Sequence, residues 1–165
     1  MKTVAATTTI DDIDAFLADI EAISDETGAA VQCFDADYVA GERHLSRAVA
    51  LAERAREQGT AVAHDPAIEI LLYAAGRRQI NQALEMGVSA GEIDVAGVVT
   101  GGDEAAAAER LADRLGTTAT GEELGVGDTV TLKSFFSITD RELAVVDGGI
   151  DAVVLERVAL LDVTK

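Results

Sequence analysis

Two carboxylates close behind an apolar run are the first residues in this chain able to do chemistry. Phe34-Asp35-Ala36-Asp37-Tyr38-Val39 follows the run from Ala30 to Phe34. Paired acids at a strand end serve as nucleophile and acid/base in phosphate hydrolysis when Mg²⁺ screens the phosphate. That chemistry also needs a later acidic pair for the metal and a basic residue for the phosphate. Gly102-Asp103 and Gly127-Asp128 each lack a second Asp at suitable spacing, because the positions in question are Ala107 and Leu132. A Mg²⁺-dependent phosphatase or nucleotide-binding enzyme using Asp35 and Asp37 therefore stands as the alternative function. The plainer reading has Asp37 capping the following helix.

Other motifs carry less. Val98-Val99-Thr100-Gly101-Gly102-Asp103 is a strand, glycine turn and helix start, a geometry that cradles phosphate. An Asp at the cap repels an anion, and no GxGxxG or Walker pattern surrounds it, so an acidic N-cap in a plain turn is expected. His44 and His64 have no Cys or second His at metal-ligand spacing. Ser46 and Ser137 lack a base and its orienter. Cys33, inside an apolar run, reads as core filler. No cofactor, metal or catalytic residue is expected, and the chain reads as a non-enzyme.

The corner Tyr73-Ala74-Ala75-Gly76-Arg77-Arg78-Gln79-Ile80-Asn81 is different. Two adjacent arginines stand there with no acid beside them. One reading is a surface pair bonded to nearby carboxylates. The other is a nucleic-acid contact, with Arg forks on phosphate and Tyr73 or Arg planes stacked on bases. Arg43 and Arg47, one turn apart on the preceding helix, extend that patch. No basic stripe exists for long-duplex binding.

The elements that position these residues follow from periodicity. Lys2 to about Thr8 reads as an edge strand. Ile13, Phe16, Leu17, Ile20 and Ile23 mark a helix from Asp11 to about Thr27, closed by Gly28. After the strand at Ala30 comes a helix over about Ala40 to Gln58, with Leu45, Val49 and Ala52 inward. Asp65-Pro66 opens another, carrying Ile68, Leu71, Leu72 and Ala75. Its phase slips at Gly76, which predicts a kink or two short helices. Ile93 to Val99 reads as a strand and Asp103 to Leu115 as an alanine-rich helix. A loop from Gly116 to Asp128 leads to a short helix over Val130 to Ile138. A further helix starts at Asp140 and breaks at Gly148-Gly149. The tail from Ile150 begins helical and ends as a strand, Val158 to Val163. The expected class is α/β (α+β), a single domain over 1–165 with a mixed central sheet and helices packed on it.

Composition sets the surroundings. The chain has 165 residues, 48% of them apolar, and one cysteine, which fits one core and a reducing cytoplasm. No apolar run reaches bilayer length and the N-terminus lacks a signal-peptide core, so no membrane is expected. The net charge of −17 reads as adaptation to molar salt, where the Debye length falls to about 3 Å.

Longer blocks carry a resemblance. Phe34 to Leu45 and Ala67 to Leu84 resemble hallmark blocks of the small kinase-binding, TPRKB-like subunit of the archaeal KEOPS complex, and Leu155 to Val163 is similar to its closing strand. The resemblance covers most of the chain from about Ala29. It implies a non-catalytic adaptor in a machine that installs threonylcarbamoyl on a tRNA adenosine beside the anticodon. The implied partners are the kinase-like ATPase subunit, other KEOPS subunits indirectly, and the 3′ CCA end of tRNA. The Arg77-Arg78-Gln79-Ile80 block is then the expected tRNA contact.

Overall fold

The computed structural model describes residues 1–118 and 124–164. They form two compact units, Met1–Ala36 with Gly87–Leu124 and Asp37–Met86 with Gly125–Lys165. The class is α+β, as expected.

The first unit is built on a three-stranded sheet. Strands β1 (Lys2–Ile10), β2 (Ala30–Asp35) and β3 (Gly91–Thr100) lie in the order β1-β3-β2. Both pairings are antiparallel, Lys2 facing Val99 and Ala30 facing Thr100, so the sheet is not the mixed one expected. β1 lies at an edge. β3, hydrogen-bonded on both sides, is continuously buried from Val95 to Thr100. Helices α1 (Ile13–Thr27) and α5 (Glu104–Leu115) pack on this sheet and on each other. Asp12 caps α1 by accepting from the N–H groups of Asp14 and Ala15. Phe16, Ile20 and Ile23, spaced to share a face, meet Val4, Val31, Val99 and Leu111 in the core. Burying each such side chain is worth about 1.5–3 kcal/mol.

The second unit is helical. It contains α2 (Glu42–Glu57), α3 (Pro66–Ala75), α4 (Ile80–Ala83), α6 (Thr129–Phe135), α7 (Asp140–Val145) and α8 (Ile150–Thr164). α2 packs on α3 and α8, and α3 packs also on α8 and α4. The Asp65 carboxylate accepts from Ala67 N–H, and Pro66 occupies the first turn, as its missing donor allows. From Glu69 to Ala75 every residue of α3 is buried. The buried Glu69 carboxylate is satisfied by the N–H groups of Val62, at 2.8 Å, and Ala63, at 3.0 Å.

Two expectations change. The tail is helical to Thr164, with Val154, Val158 and Leu161 buried on one face, rather than a closing strand. Asp37 lies in a 3₁₀ turn, Ala36–Tyr38, and the cap of α2 is Gly41, which offers no side-chain bond. The break at Gly76 is present between α3 and α4, and the one at Gly148-Gly149 between α7 and α8. Part of the loop expected between Gly116 and Asp128 lies outside the described residues.

Candidate functional site

The arginine corner is made by the way α3 ends. Gly76 takes the left-handed conformation, φ 63°. Its N–H bonds Tyr73 O and that of Arg77 bonds Leu72 O, the paired bonds that close a helix on glycine. A Cβ there would lie 3.1 Å from Arg157 O of α8, so glycine also permits the close approach of the two segments. The reversal separates the arginines. Arg77 is half-buried, its guanidinium 4.8 Å from the Phe135 ring centre, and Nη2 donates to Phe135 O. Arg78 is exposed, and its Nη1 reaches Thr164 O at 3.3 Å. Both bond main-chain carbonyls rather than the carboxylates of the surface-pair reading. Gln79 and Ile80 follow, both exposed.

Tyr73 is not available for stacking. Its ring is fully buried and its hydroxyl donates to Asp162 Oδ1 at 2.8 Å. The second Asp162 oxygen receives Arg54, so one carboxylate ties α2, α3 and α8. Burial, and after it the bond to Asp162, pushes the Tyr73 phenol above its usual range. The expected base-stacking role of Tyr73 is thereby withdrawn, because a side chain wedged between helices offers no face.

Arg43 and Arg47 line a hollow other than the one Arg77 lines. They are exposed on α2 and, with Ser46, Ala50 and Leu155 of α8, line one hollow. A different hollow is lined by Gly76, Arg77, Phe136, Arg157, Leu160 and Thr164, and the two share no residue. Sequence reasoning missed the aromatic support of the corner. Phe135 and Phe136 are two of only four phenylalanines, and that adjacency in an aromatic-poor chain was the available signal. It also missed Arg157, whose guanidinium binds both Glu142 oxygens, at 2.8 and 2.9 Å, and Phe136 O. Those hydrogen bonds hold the Glu142 carboxyl below its usual range.

The remaining candidates resolve into structure. His44 is buried, accepting at Nδ1 from Ala40 N–H and bonding Ala74 O through Nε2, at 3.0 and 2.7 Å. Its pKa is pushed down to about 4, chiefly by burial. Burial likewise lifts the Cys33 thiol to about 12, a poor nucleophile. At the glycine turn, Glu104 Oε2 already accepts from Gly101 N–H at 2.8 Å, and Asp103 caps α5 through Ala106 N–H. An anion would have to displace these acids. Among the described residues no three of His, Cys, Asp or Glu gather as metal ligands, at Asp35 and Asp37 or elsewhere. Among them also, no helix is long and apolar enough to cross a membrane.

Comparison with known proteins gives the family. The family model of the kinase binding protein CGI-121 matches residues 10–162. The chain belongs to that family. The match takes in α1 through α7 whole, α8 as far as Asp162, and of β1 only Ile10. No curated protein matches the chain.

Proposed function

We propose that this protein is a non-catalytic adaptor subunit of KEOPS, acting in the cytoplasm of an archaeon with high internal salt. It binds the kinase-like ATPase subunit and helps bring tRNA, by its 3′ CCA end, to threonylcarbamoyladenosine formation. The observation that carries this reading is membership of the kinase-binding family over nearly the whole chain. The resemblance of Ala67 to Leu84 to the subunit's hallmark block supports the finer assignment. So does the presentation of Arg78, Gln79 and Ile80 at an exposed corner braced by Arg77.

In this reading Arg78 contacts the RNA and Arg77 positions it. Unpaired bases are gripped through short-range stacking and hydrogen bonds, which survive salt that screens long-range attraction and repulsion alike. The test is a titration of tRNA, intact or lacking CCA, in molar KCl. Arg78→Ala is expected to weaken binding of intact tRNA about tenfold or more, the scale of one charged hydrogen bond. The kinase-like subunit should bind the variant as it binds the parent. Equal tRNA affinity in parent and variant would remove Arg78 from the site.

A further inference from the structure

Two arginines of this acidic chain share one groove and pair with no carboxylate among the described residues. Of the ten arginines, Arg54, Arg110, Arg114 and Arg157 pair with carboxylates, and Arg56, Arg77 and Arg78 bond carbonyl oxygens. Arg141, exposed on α7, has no such partner among the described residues, and neither do Arg43 and Arg47. They stand on α2 with Ser46 and Ala50, at positions i, i+4, i+3 and i+7, which is one helical face. That face is turned away from the one α2 buries, formed by His44, Leu45, Ala48, Val49 and Leu51. Across the groove stands Leu155 of α8, half-buried, and the hollow between holds about 390 Å³.

We infer that this groove is the docking surface for a protein segment that presents carboxylates around an apolar side chain. The inference rests on the adaptor reading above, because it takes the kinase-like subunit as the owner of that segment. Two features favour protein over RNA. The lining offers no aromatic ring on which a base could stack, whereas Ala50 and Leu155 give an apolar floor. Arginines beside such a floor are what protein interfaces enrich, and each fork can take a carboxylate in two parallel hydrogen bonds. Charge complementarity names the partner's sign. An acidic segment would be repelled by most of this surface and accepted here, which fixes where and in what register it docks. The arginine set thus divides by role: Arg78 for RNA, Arg43 and Arg47 for protein.

The test uses the full chain, the purified kinase-like subunit and tRNA, with affinities measured at 0.3 M and 2 M KCl. Arg43→Glu/Arg47→Glu is expected to bind the kinase-like subunit about tenfold or more weakly, since like charges then face each other. Its tRNA binding should match the parent. Arg78→Glu should show the reverse pattern, with tRNA lost and the kinase-like subunit kept. If the glutamate pair perturbs the fold, Arg43→Gln/Arg47→Gln reports the same interaction with a smaller loss. Parent-like kinase affinity in the groove variants would overturn the inference. Loss of tRNA alone in those variants would overturn it too and make the groove an RNA site. A parent chain that binds no kinase-like subunit would instead sink the adaptor reading, and the groove's partner with it.

Discussion

His44 shows how a residue type associated with chemistry becomes a structural bolt. Its ring joins the turn before α2, through Ala40, to the last turn of α3, through Ala74, and packs edge-on against Phe136, 5.7 Å between ring centres. Both nitrogens are used in the neutral form, one as acceptor and one as donor. A proton on Nδ1 would destroy the bond from Ala40 N–H. The folded pKa of about 4 lies below the ordinary 6.5. The unfolded chain therefore takes up a proton first as pH falls. Stability is complete above pH 6.5 and is lost progressively from there to pH 4, by about 3 kcal/mol in all. Denaturation midpoints followed over that window should fall for the parent chain. In His44→Asn, which keeps an acceptor for Ala40, they should start about 1–3 kcal/mol lower and lose this slope. An equal slope in both would assign the acid sensitivity to carboxylates. At this scale the candidate site was half legible. Adjacent arginines in acid-rich sequence drew notice to the corner, but residue type cannot tell a Tyr that stacks from a Tyr that is buried. Only the packing of α3 against α8, with Asp162 placed to receive the hydroxyl, decides that for Tyr73.

At the scale of elements, most boundaries were written in local signals. Asp12, Asp65 and Asp103 each cap the helix they precede, and Gly28, Gly76 and Gly116 each close one in the left-handed conformation. The tail was not legible, and its physical reason is specific. Leu160 and Val163 are apolar yet exposed, so apolar residues surround α8 and hide the spacing of its buried Val154, Val158 and Leu161. With Val at both ends, Val158 to Val163 satisfies strand composition equally well. Contacts from Tyr73 and Arg54 to Asp162 belong to the helical arrangement, and they are long-range. The sheet was misread for a related reason: strand direction follows from the route between strands, and α-helical crossings are compatible with either sense. The glycine turn after β3 illustrates what sequence patterns leave ambiguous. Gly102 has φ 53°, and a Cβ there would fall 2.4 Å from the Gly28 carbonyl carbon and 2.6 Å from Ala29 N. Thr27 O accepts from Asp103 N–H at 2.9 Å at the same contact. The glycine is thus required where two backbones meet, rather than for a phosphate. Gly102→Ala should cost about 2–4 kcal/mol, combining left-handed strain with overpacking. At Gly101, φ 76° and open space around the added Cβ leave only the strain, about 1–2 kcal/mol. Urea midpoints of the two variants should therefore differ, and equal costs would mean that the contact between turn and helix end yields freely.

For the whole molecule the governing fact is the surplus of seventeen negative charges, and its consequence can be located. Helix α1 alone carries Asp14, Asp19, Glu21, Asp25 and Glu26, all exposed, and no basic residue. Two of these are relieved from α5, Asp19 by Arg114 and Glu26 by Arg110. Glu21 and Asp25, spaced i and i+4, face each other with like charge, a pairing that costs a few tenths of a kcal/mol in dilute buffer. Salt acts on both kinds of contact. It weakens the exposed ion pairs, each worth about 0–1 kcal/mol, and it screens the repulsion among the unpaired acids. Because acids outnumber bases more than two to one, repulsion is the larger quantity and screening should win. Raising KCl from 0.1 to 2 M is therefore expected to lift Tm by roughly 4–8 °C, equivalent to about 2 kcal/mol for a domain of this size. Most of the gain should arrive by 1 M, where the Debye length has already fallen to about 3 Å. Glu21→Gln/Asp25→Asn separates screening from any general effect of salt on the fold. That variant should melt above the parent in 0.1 M KCl and together with it in 2 M. A Tm that is flat or falls with salt would show that the paired charges dominate, and that the acidic surface serves solubility instead of life in concentrated salt.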